Sequence, residues 1–252
     1  METLFDAHFH IIDPGFPLIP NQGYLPEPFT VSDYKRKTEG LKVAGGAVVS
    51  GSFQGFDPSY LKAALLSLGP DFVGVTQIRE DISDAEIMEL KEYGIRAIRF
   101  NLKRGMVQGG EIFSLAHRVY EVAGWHSEFY LSNDQLEPLL PLLRQLPKIS
   151  VDHLGLTWEG FKHLLSLVEG GARVKASGFG RVDLKVGPAL REIYRVNPEA
   201  LMFGTDLPCT RNPEPFSLQD IRVILENFDE AAQEKIFLEN GRSFYGLTLP
   251  EK

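Results

Sequence analysis

Eight short apolar runs, each about one strand long, recur along this chain and are separated by amphipathic stretches. The runs are Leu4–Ile11, Gly45–Ser50, Asp71–Ile78, Ile95–Phe100, Ser127–Ser132, Ile149–Leu154, Ala172–Ser177 and Leu201–Asp206. Parallel strands need long crossover connections, usually helices, so this alternation implies a parallel sheet. Eight such units within 252 residues predict an α/β fold: a closed, distorted (β/α)8 TIM barrel forming one domain over residues 1–252. The intervening stretches carry helix signals. Asp57-Pro58 offers an N-cap with proline following it, and Ser83-Asp-Ala-Glu86 is a capping box for a helix expected to end at Gly94. Thr157 and Ser217 precede further apolar-periodic runs, and Leu136–Leu146 is leucine-rich at helical spacing. An open doubly wound sheet would show a glycine fingerprint after the first strand. The chain has only Gly178-Phe-Gly180, after the seventh run and without the third glycine.

Charge and cysteine content narrow the function. A net charge of −8 excludes nucleic acid and anionic membrane as general partners, so any anion must be held by a local basic pocket. Cys209 is the only cysteine, which forbids an intrachain disulfide and suits a reducing cytoplasm. The opening METLFDAHFH lacks a basic region before a long apolar run, so no signal peptide is expected, and no apolar stretch is long enough to span a bilayer.

In a barrel of this kind the chemistry stands at the C-terminal ends of the strands. Asp6-Ala-His8-Phe-His10 puts two imidazoles two residues apart near the end of the first strand, on one face by alternation. Asp152-His153 closes the sixth run and Asp206 the eighth, so His8, His10, His153 and Asp206 are expected at one rim. His126, His117 and His163 fall before a strand or inside helices and are expected to be structural or solvent-facing. The longest irregular segment, Asp13–Pro28, holds five prolines and follows the first strand, so it is expected to lie across the mouth. Cys209 lies near Asp206, but nothing in the sequence argues for an activated thiolate.

The ordered motifs DAHFH, YLP (Tyr24–Pro26), IRAIRFN (Ile95–Asn101), VDHLG, SGFGR (Ser177–Arg181) and FGTDLP (Phe203–Pro208) resemble the amidohydrolase superfamily. The nearer likeness is to its amidohydrolase-2 branch, in particular the lactonase-like members that act on pyrone dicarboxylates. The resemblance implies a metal-independent hydrolase that opens a carboxylated lactone or pyrone ring. Strand position and alternation make Asp206 the expected base on water, with His8, His10 and His153 expected to polarise the carbonyl. The resemblance also implies that Arg99 and Arg181 grip substrate carboxylates, whose shape suits guanidinium forks. Tyr24 and Tyr130 would line the pocket, with Arg104 and Ser50 (or Ser52) contributing beside them. The expected partner is a small anionic lactone or pyrone carboxylate, the expected assembly a monomer or homodimer, and no cofactor is expected.

The chain departs from the metal-dependent relatives: the fifth run has Glu128, Tyr130 and Ser132 but no histidine, and the fourth has Arg99 and Asn101. A fixed charge at Arg99 near a dication is unfavourable unless an anion intervenes. One alternative is a single divalent metal, such as Zn2+ or Mn2+, on His8, His10 and Asp206, serving a hydrolase or decarboxylase. Another is a sugar-acid lactone isomerase or a non-catalytic binder. Leu156 stands where relatives often carry arginine after DHLG, and Cys209 where they often carry histidine, which leaves the exact substrate open. Arg211 could restore the lost charge.

Overall fold

The computed structural model describes residues 3–105, 111–212 and 214–249. Its centre is a parallel sheet whose eight strands lie in sequence order: β1 (Thr3–Phe9), β2 (Lys42–Val49), β3 (Phe72–Thr76), β4 (Ile95–Asn101), β5 (His126–Tyr130), β6 (Ile149–Val151), β7 (Arg173–Ala176) and β8 (Leu201–Phe203). The last strand meets the first just beyond its end. The Asp206 N–H donates to the His8 carbonyl and the His10 N–H to the Leu207 carbonyl, both at 2.7 Å. The sheet thereby becomes a nearly closed barrel, as the alternation requires.

Helices α1 (Val31–Lys37), α2 (Ser59–Leu68), α3 (Asp84–Glu92), α4 (Glu111–Ala123), α5 (Leu140–Leu143), α6 (Phe161–Glu169), α7 (Val186–Val196), α8 (Leu218–Asn227), α9 (Glu230–Glu234) and α10 (Asn240–Phe244) lie between or after the strands. The Ser83 capping box forms, and Gly94 follows α3 in the left-handed region at φ +94°. Ser217 caps α8 as expected. Three expectations shift. Pro58, not Asp57, is the N-cap of α2, although the Asp57 carboxylate accepts the Ser59 N–H at 2.9 Å. Gly160, not Thr157, precedes α6. The leucine-rich stretch 136–146 yields 3-10 turns and the single turn α5, because Pro138 and Pro141 remove the amide donors a longer helix needs.

Apolar residues fill two zones. A large layer packs between sheet and helices, and a smaller cluster (Phe5, Ala7, Ala47, Val49, Val73, Val75, Ala97, Met202, Phe244, Tyr245) plugs the barrel. Strand β1 switches faces along its length. Its register against β2 slips between Asp6 and Phe9, where three steps of β1 oppose two of β2. A bulge of this kind re-aims side chains. Asp6 and Phe9 consequently both meet Tyr34 of α1, by a 3.0 Å hydrogen bond and a stacked ring, whereas His8 turns to the barrel interior. Asp6 accepts hydrogen bonds from the Thr205 N–H (2.8 Å) and hydroxyl (2.7 Å), tying the β8 loop to β1. Burial raises its pKa to about 6, and its role is structural. Among the described residues, no helix is long and apolar enough to cross a membrane.

Candidate active site

The structure brings His8, His10, His153 and Asp206 together at the C-terminal mouth. Asp206 lies three residues beyond β8 with φ +58°, and His153 follows β6 with φ +50°. Left-handed backbone at a residue bearing a Cβ costs about 1–2 kcal/mol. Such strain concentrates where a side chain is held for use. Gly178 shares the conformation (φ +60°) for a different reason: a Cβ there would stand 2.7 Å from His153 Nδ1 and 2.9 Å from Arg181 Nε. The SGFGR turn therefore needs glycine at its first glycine position in order to pack against the site.

Asp206 Oδ1 is the focus. The Nε2 atoms of His8, His10 and His153 lie 3.7, 3.8 and 3.8 Å from it. It is buried without a hydrogen-bond partner among the described residues, as is His8 Nε2. Its sister oxygen accepts a hydrogen bond from Arg181 Nη2. Burial raises the Asp206 pKa to about 6, although the guanidiniums of Arg181 and Arg99 pull it down. Burial also depresses all three imidazoles, His10 to about 3 and His8 and His153 well below the usual histidine value, so they are neutral near pH 7.

Hydrogen-bond partners assign the tautomers. The Val49 carbonyl accepts from His10 Nδ1 at 2.7 Å, which leaves a lone pair on His10 Nε2. His8 Nδ1 stands between Lys175 Nζ (3.3 Å) and Asp152 Oδ1 (3.4 Å); accepting from the ammonium places the His8 hydrogen on Nε2, and donating to the carboxylate places it on Nδ1. His153 Nδ1 meets the Ser177 hydroxyl at 2.9 Å, a partner that serves either tautomer. The cluster thus offers an acceptor at His10 Nε2 and, when Lys175 holds His8 Nδ1, a donor at His8 Nε2 beside the free carboxylate oxygen.

Beneath the mouth lies a charged chain that sequence reasoning missed. Lys175 on β7, fully buried, pairs with Glu128 on β5 and approaches Asp152 Oδ1 at 3.6 Å. Glu128 also accepts from His126 Nε2 (2.9 Å) and the Tyr245 hydroxyl (2.5 Å). His126 is thus a buried structural residue, held neutral by burial with its pKa lowered to about 4. Asp152 Oδ2 takes two bonds from Arg99, at 3.0 and 2.8 Å, and Arg99 Nη1 donates to the Ser50 carbonyl at 2.8 Å. Against the cost of its burial, the cations Arg99 and Lys175 and the neighbouring His8 hold the Asp152 carboxyl well below the usual range. Around the mouth, three carboxylates (Glu128, Asp152, Asp206) face three cations (Lys175, Arg99, Arg181).

The narrow cleft above this set opens to solvent and is lined by His10, Ser52, Phe53, Arg99, Arg104, Tyr130, His153, Arg181 and Arg211, among others. The Tyr130 ring lies 5.1 Å from the Arg99 guanidinium, and its hydroxyl accepts from Arg181 at 3.4 Å. Arg104 stands 6.0 Å from the same ring. Two expected residues sit elsewhere. The Ser50 hydroxyl is bonded to Tyr60 at 2.7 Å, so Ser52, rather than Ser50, lines the cleft. Tyr24 lies beside the cleft with its ring 4.3 Å from the Arg211 guanidinium. His117 and His163 lie on α4 and α6, away from the mouth. Burial pushes the Cys209 thiol up to about 12, and its sulfur accepts the Phe216 N–H, which leaves no thiolate nucleophile near neutrality.

An eight-stranded parallel barrel with imidazoles, a buried carboxylate and guanidiniums at its C-terminal mouth defines a class of hydrolytic scaffold. Comparison with known proteins makes the class specific: residues 5–247 match the amidohydrolase family model (Amidohydro_2), and the chain belongs to that family. It is 31% identical to a 2-pyrone-4,6-dicarboxylate hydrolase of Comamonas testosteroni over 156 residues, 60% of this chain and 51% of that relative. The chain therefore aligns with about half the length of that enzyme. Over 271 aligned positions it is 24% identical to a 4-sulfomuconolactone hydrolase of Rhizobium radiobacter, covering 96% of this chain and 90% of the relative. Among solved structures, an Acinetobacter baumannii protein named for 2-pyrone-4,6-dicarboxylic acid hydrolysis, with citric acid bound, superposes at a TM-score of 0.86. Identity there is 20%, with 98% of this chain and all of that one covered, a likeness of fold.

Proposed function

We propose that this protein hydrolyses the cyclic ester of a small carboxylated lactone or pyrone, with Asp206 as general base and no metal ion. The observation that carries the reading is the free Oδ1 of Asp206, ringed by three imidazole Nε2 atoms beside a cleft lined with guanidiniums. The kinship to lactone- and pyrone-opening enzymes supports the ring as substrate.

Each group has a step. Water lies between Asp206 Oδ1 and the ring carbonyl, with the His10 Nε2 lone pair accepting its second hydrogen. Asp206 removes one proton as the water oxygen bonds to the carbonyl carbon. The carbonyl oxygen becomes an oxyanion, stabilised by the N–H at His8 Nε2 and by His153, through hydrogen bonds that strengthen as charge develops. The carbon–ring-oxygen bond then breaks, and the proton on Asp206 passes to the departing oxygen. One water is consumed and one carboxylic acid and one hydroxyl are formed. A base with a pKa near 6 is ionised at neutrality yet still basic enough to accept this proton.

A second reading rests on a specific observation. Ligand atoms of His8, His153 and Asp206 lie within 4.8 Å of one another, a group that could hold a divalent cation such as Zn2+ or Mn2+. That trio replaces the His8, His10 and Asp206 set expected from the sequence. The fit turns on His8: with Nδ1 accepting from Lys175, its hydrogen occupies Nε2 and blocks ligation there. Ligation would require His8 to turn an Nδ1 hydrogen to Asp152 Oδ1, 3.4 Å away.

One experiment decides both. Purified protein is exhaustively chelated, its metal content measured, and hydrolysis screened on pyrone, muconolactone and aldonolactone carboxylates. Turnover is expected to survive chelation, and Asp206→Asn is expected to lower kcat by ~10²-fold or more while the fold is kept. Activity that tracks stoichiometric zinc or manganese would establish the metal reading instead. Near-parent kcat in the variant would remove Asp206 as base.

A further inference from the structure

The forks of Arg99 and Arg181 are already committed, one to Asp152 and the other to Asp206. Two more cations line the cleft, Arg104 and Arg211. Neither has a carboxylate partner among the described residues. Arg211 is the more elaborately held. It stands on the loop after β8 with φ +59°, its guanidinium packs 4.3 Å from the centre of the Tyr24 ring, and its Nη2 donates to the Asn21 backbone carbonyl. Tyr24 and Asn21 are themselves locked by reciprocal backbone hydrogen bonds of 3.0 Å around a two-residue turn. The Nε and Nη1 hydrogens of Arg211 have no partner among the described residues. A half-buried guanidinium fixed by stacking, with open donors toward a cleft that holds a second like charge, is an arrangement an anion relieves.

We propose that Arg211 is the specificity-determining residue that selects a second carboxylate on the substrate ring, using Tyr24 and Asn21 of the 13–28 segment as its brace. The inference rests on the ring-hydrolase reading and sharpens its substrate class: a planar ring with two carboxylates is preferred over one with a single carboxylate. The segment 13–28 then acts through Arg211, and Tyr24 is a positioning residue whose ring orients the fork.

Binding tests this without requiring turnover. Isophthalate and benzoate, which have no ester to cleave, are titrated by calorimetry into the parent, Arg211→Asn and Tyr24→Leu. Asparagine tolerates positive φ, so the first variant removes the fork while retaining the loop conformation. The parent should bind isophthalate at least tenfold more tightly than benzoate. Arg211→Asn should bring that ratio close to one by weakening isophthalate far more than benzoate, and Tyr24→Leu should lower it partway. In parallel, kcat/KM on 2-pyrone-4,6-dicarboxylate should fall in Arg211→Asn mainly through KM, and by at least tenfold more than on 2-pyrone-6-carboxylate. A parent that does not prefer isophthalate, or an Arg211→Asn ratio equal to the parent's, overturns the proposal. If the ratio collapses yet no pyrone is hydrolysed by the parent, the hydrolase reading fails while the Arg211 assignment holds.

Discussion

Arg181→Met isolates the control of the base. Asp206 has a pKa of about 6 because burial raises it while Arg181, hydrogen-bonded to Oδ2, lowers it. An opposite charge at this range holds a carboxyl down by roughly 1–3 pH units, and its removal should carry the Asp206 pKa to about 7–9. The base must be ionised, so activity is lost as pH falls through this value. The parent profile of kcat/KM should show an acid limb near pH 6, and the variant's limb should move to higher pH by at least one unit. With a shift of about 2 units, roughly three quarters of the parent but only ~3% of the variant would be ionised at pH 6.5. That is a loss of about 25-fold, which nearly disappears by pH 9. Lost grip on a substrate carboxylate lowers kcat/KM by a constant factor instead, so the shape of the profile separates the two effects. The assay is loss of ring absorbance on a hydrolysed pyrone between pH 5 and 9.5. An acid limb that stays at the parent's pH would refute the coupling of Arg181 to the base.

Three other changes probe the scaffold. Lys175→Met strands the buried Glu128 and should destabilise the fold by about 3–5 kcal/mol in urea titrations, with a substantial part regained in the double variant Lys175→Met/Glu128→Gln. Equal stability of single and double variants would show that the pair is not coupled. Gly178→Ala forces a Cβ against His153 and Arg181 at positive φ; kcat/KM should drop at least tenfold for a stability loss of only about 1–2 kcal/mol. Cys209→Ser should leave turnover within about twofold of the parent, and iodoacetamide at pH 7.5 should not inactivate the parent, because the thiol is protonated there.

The barrel was legible because strand–helix alternation has few other solutions, and the rim residues His8, His10, His153 and Asp206 because strand ends are where such a barrel places its chemistry. Asp6 could not be told apart from His8 by pattern, since simple alternation puts both on one face, and the β1 bulge that separates them leaves no mark in the sequence. Lys175 and Glu128 went unread for another reason. Each sits mid-strand among small or apolar neighbours, and a charge there is affordable only with a partner from a distant strand, which periodicity cannot reveal. The inward charge on a short strand was itself the available signal. In the stretch 136–146, the prolines were a better guide than the leucines.

The ionic chain under the mouth also determines how the molecule can be divided. Arg99 comes from β4, Glu128 from β5, Asp152 from the end of β6, Lys175 from β7 and His8 from β1. A cut in the loop after β4 would leave one half-barrel with Arg99 and no acid to meet it. The other half would keep two carboxylates of this chain, Glu128 and Asp152, against the single ammonium of Lys175. Neither piece can neutralise its own interior, so the halves should be unable to persist alone yet able to rescue one another when mixed. Although its architecture is a repeated strand–helix unit, this barrel is electrostatically indivisible, and recombining it with half of another barrel would require the replacement half to bring a matching set of charges.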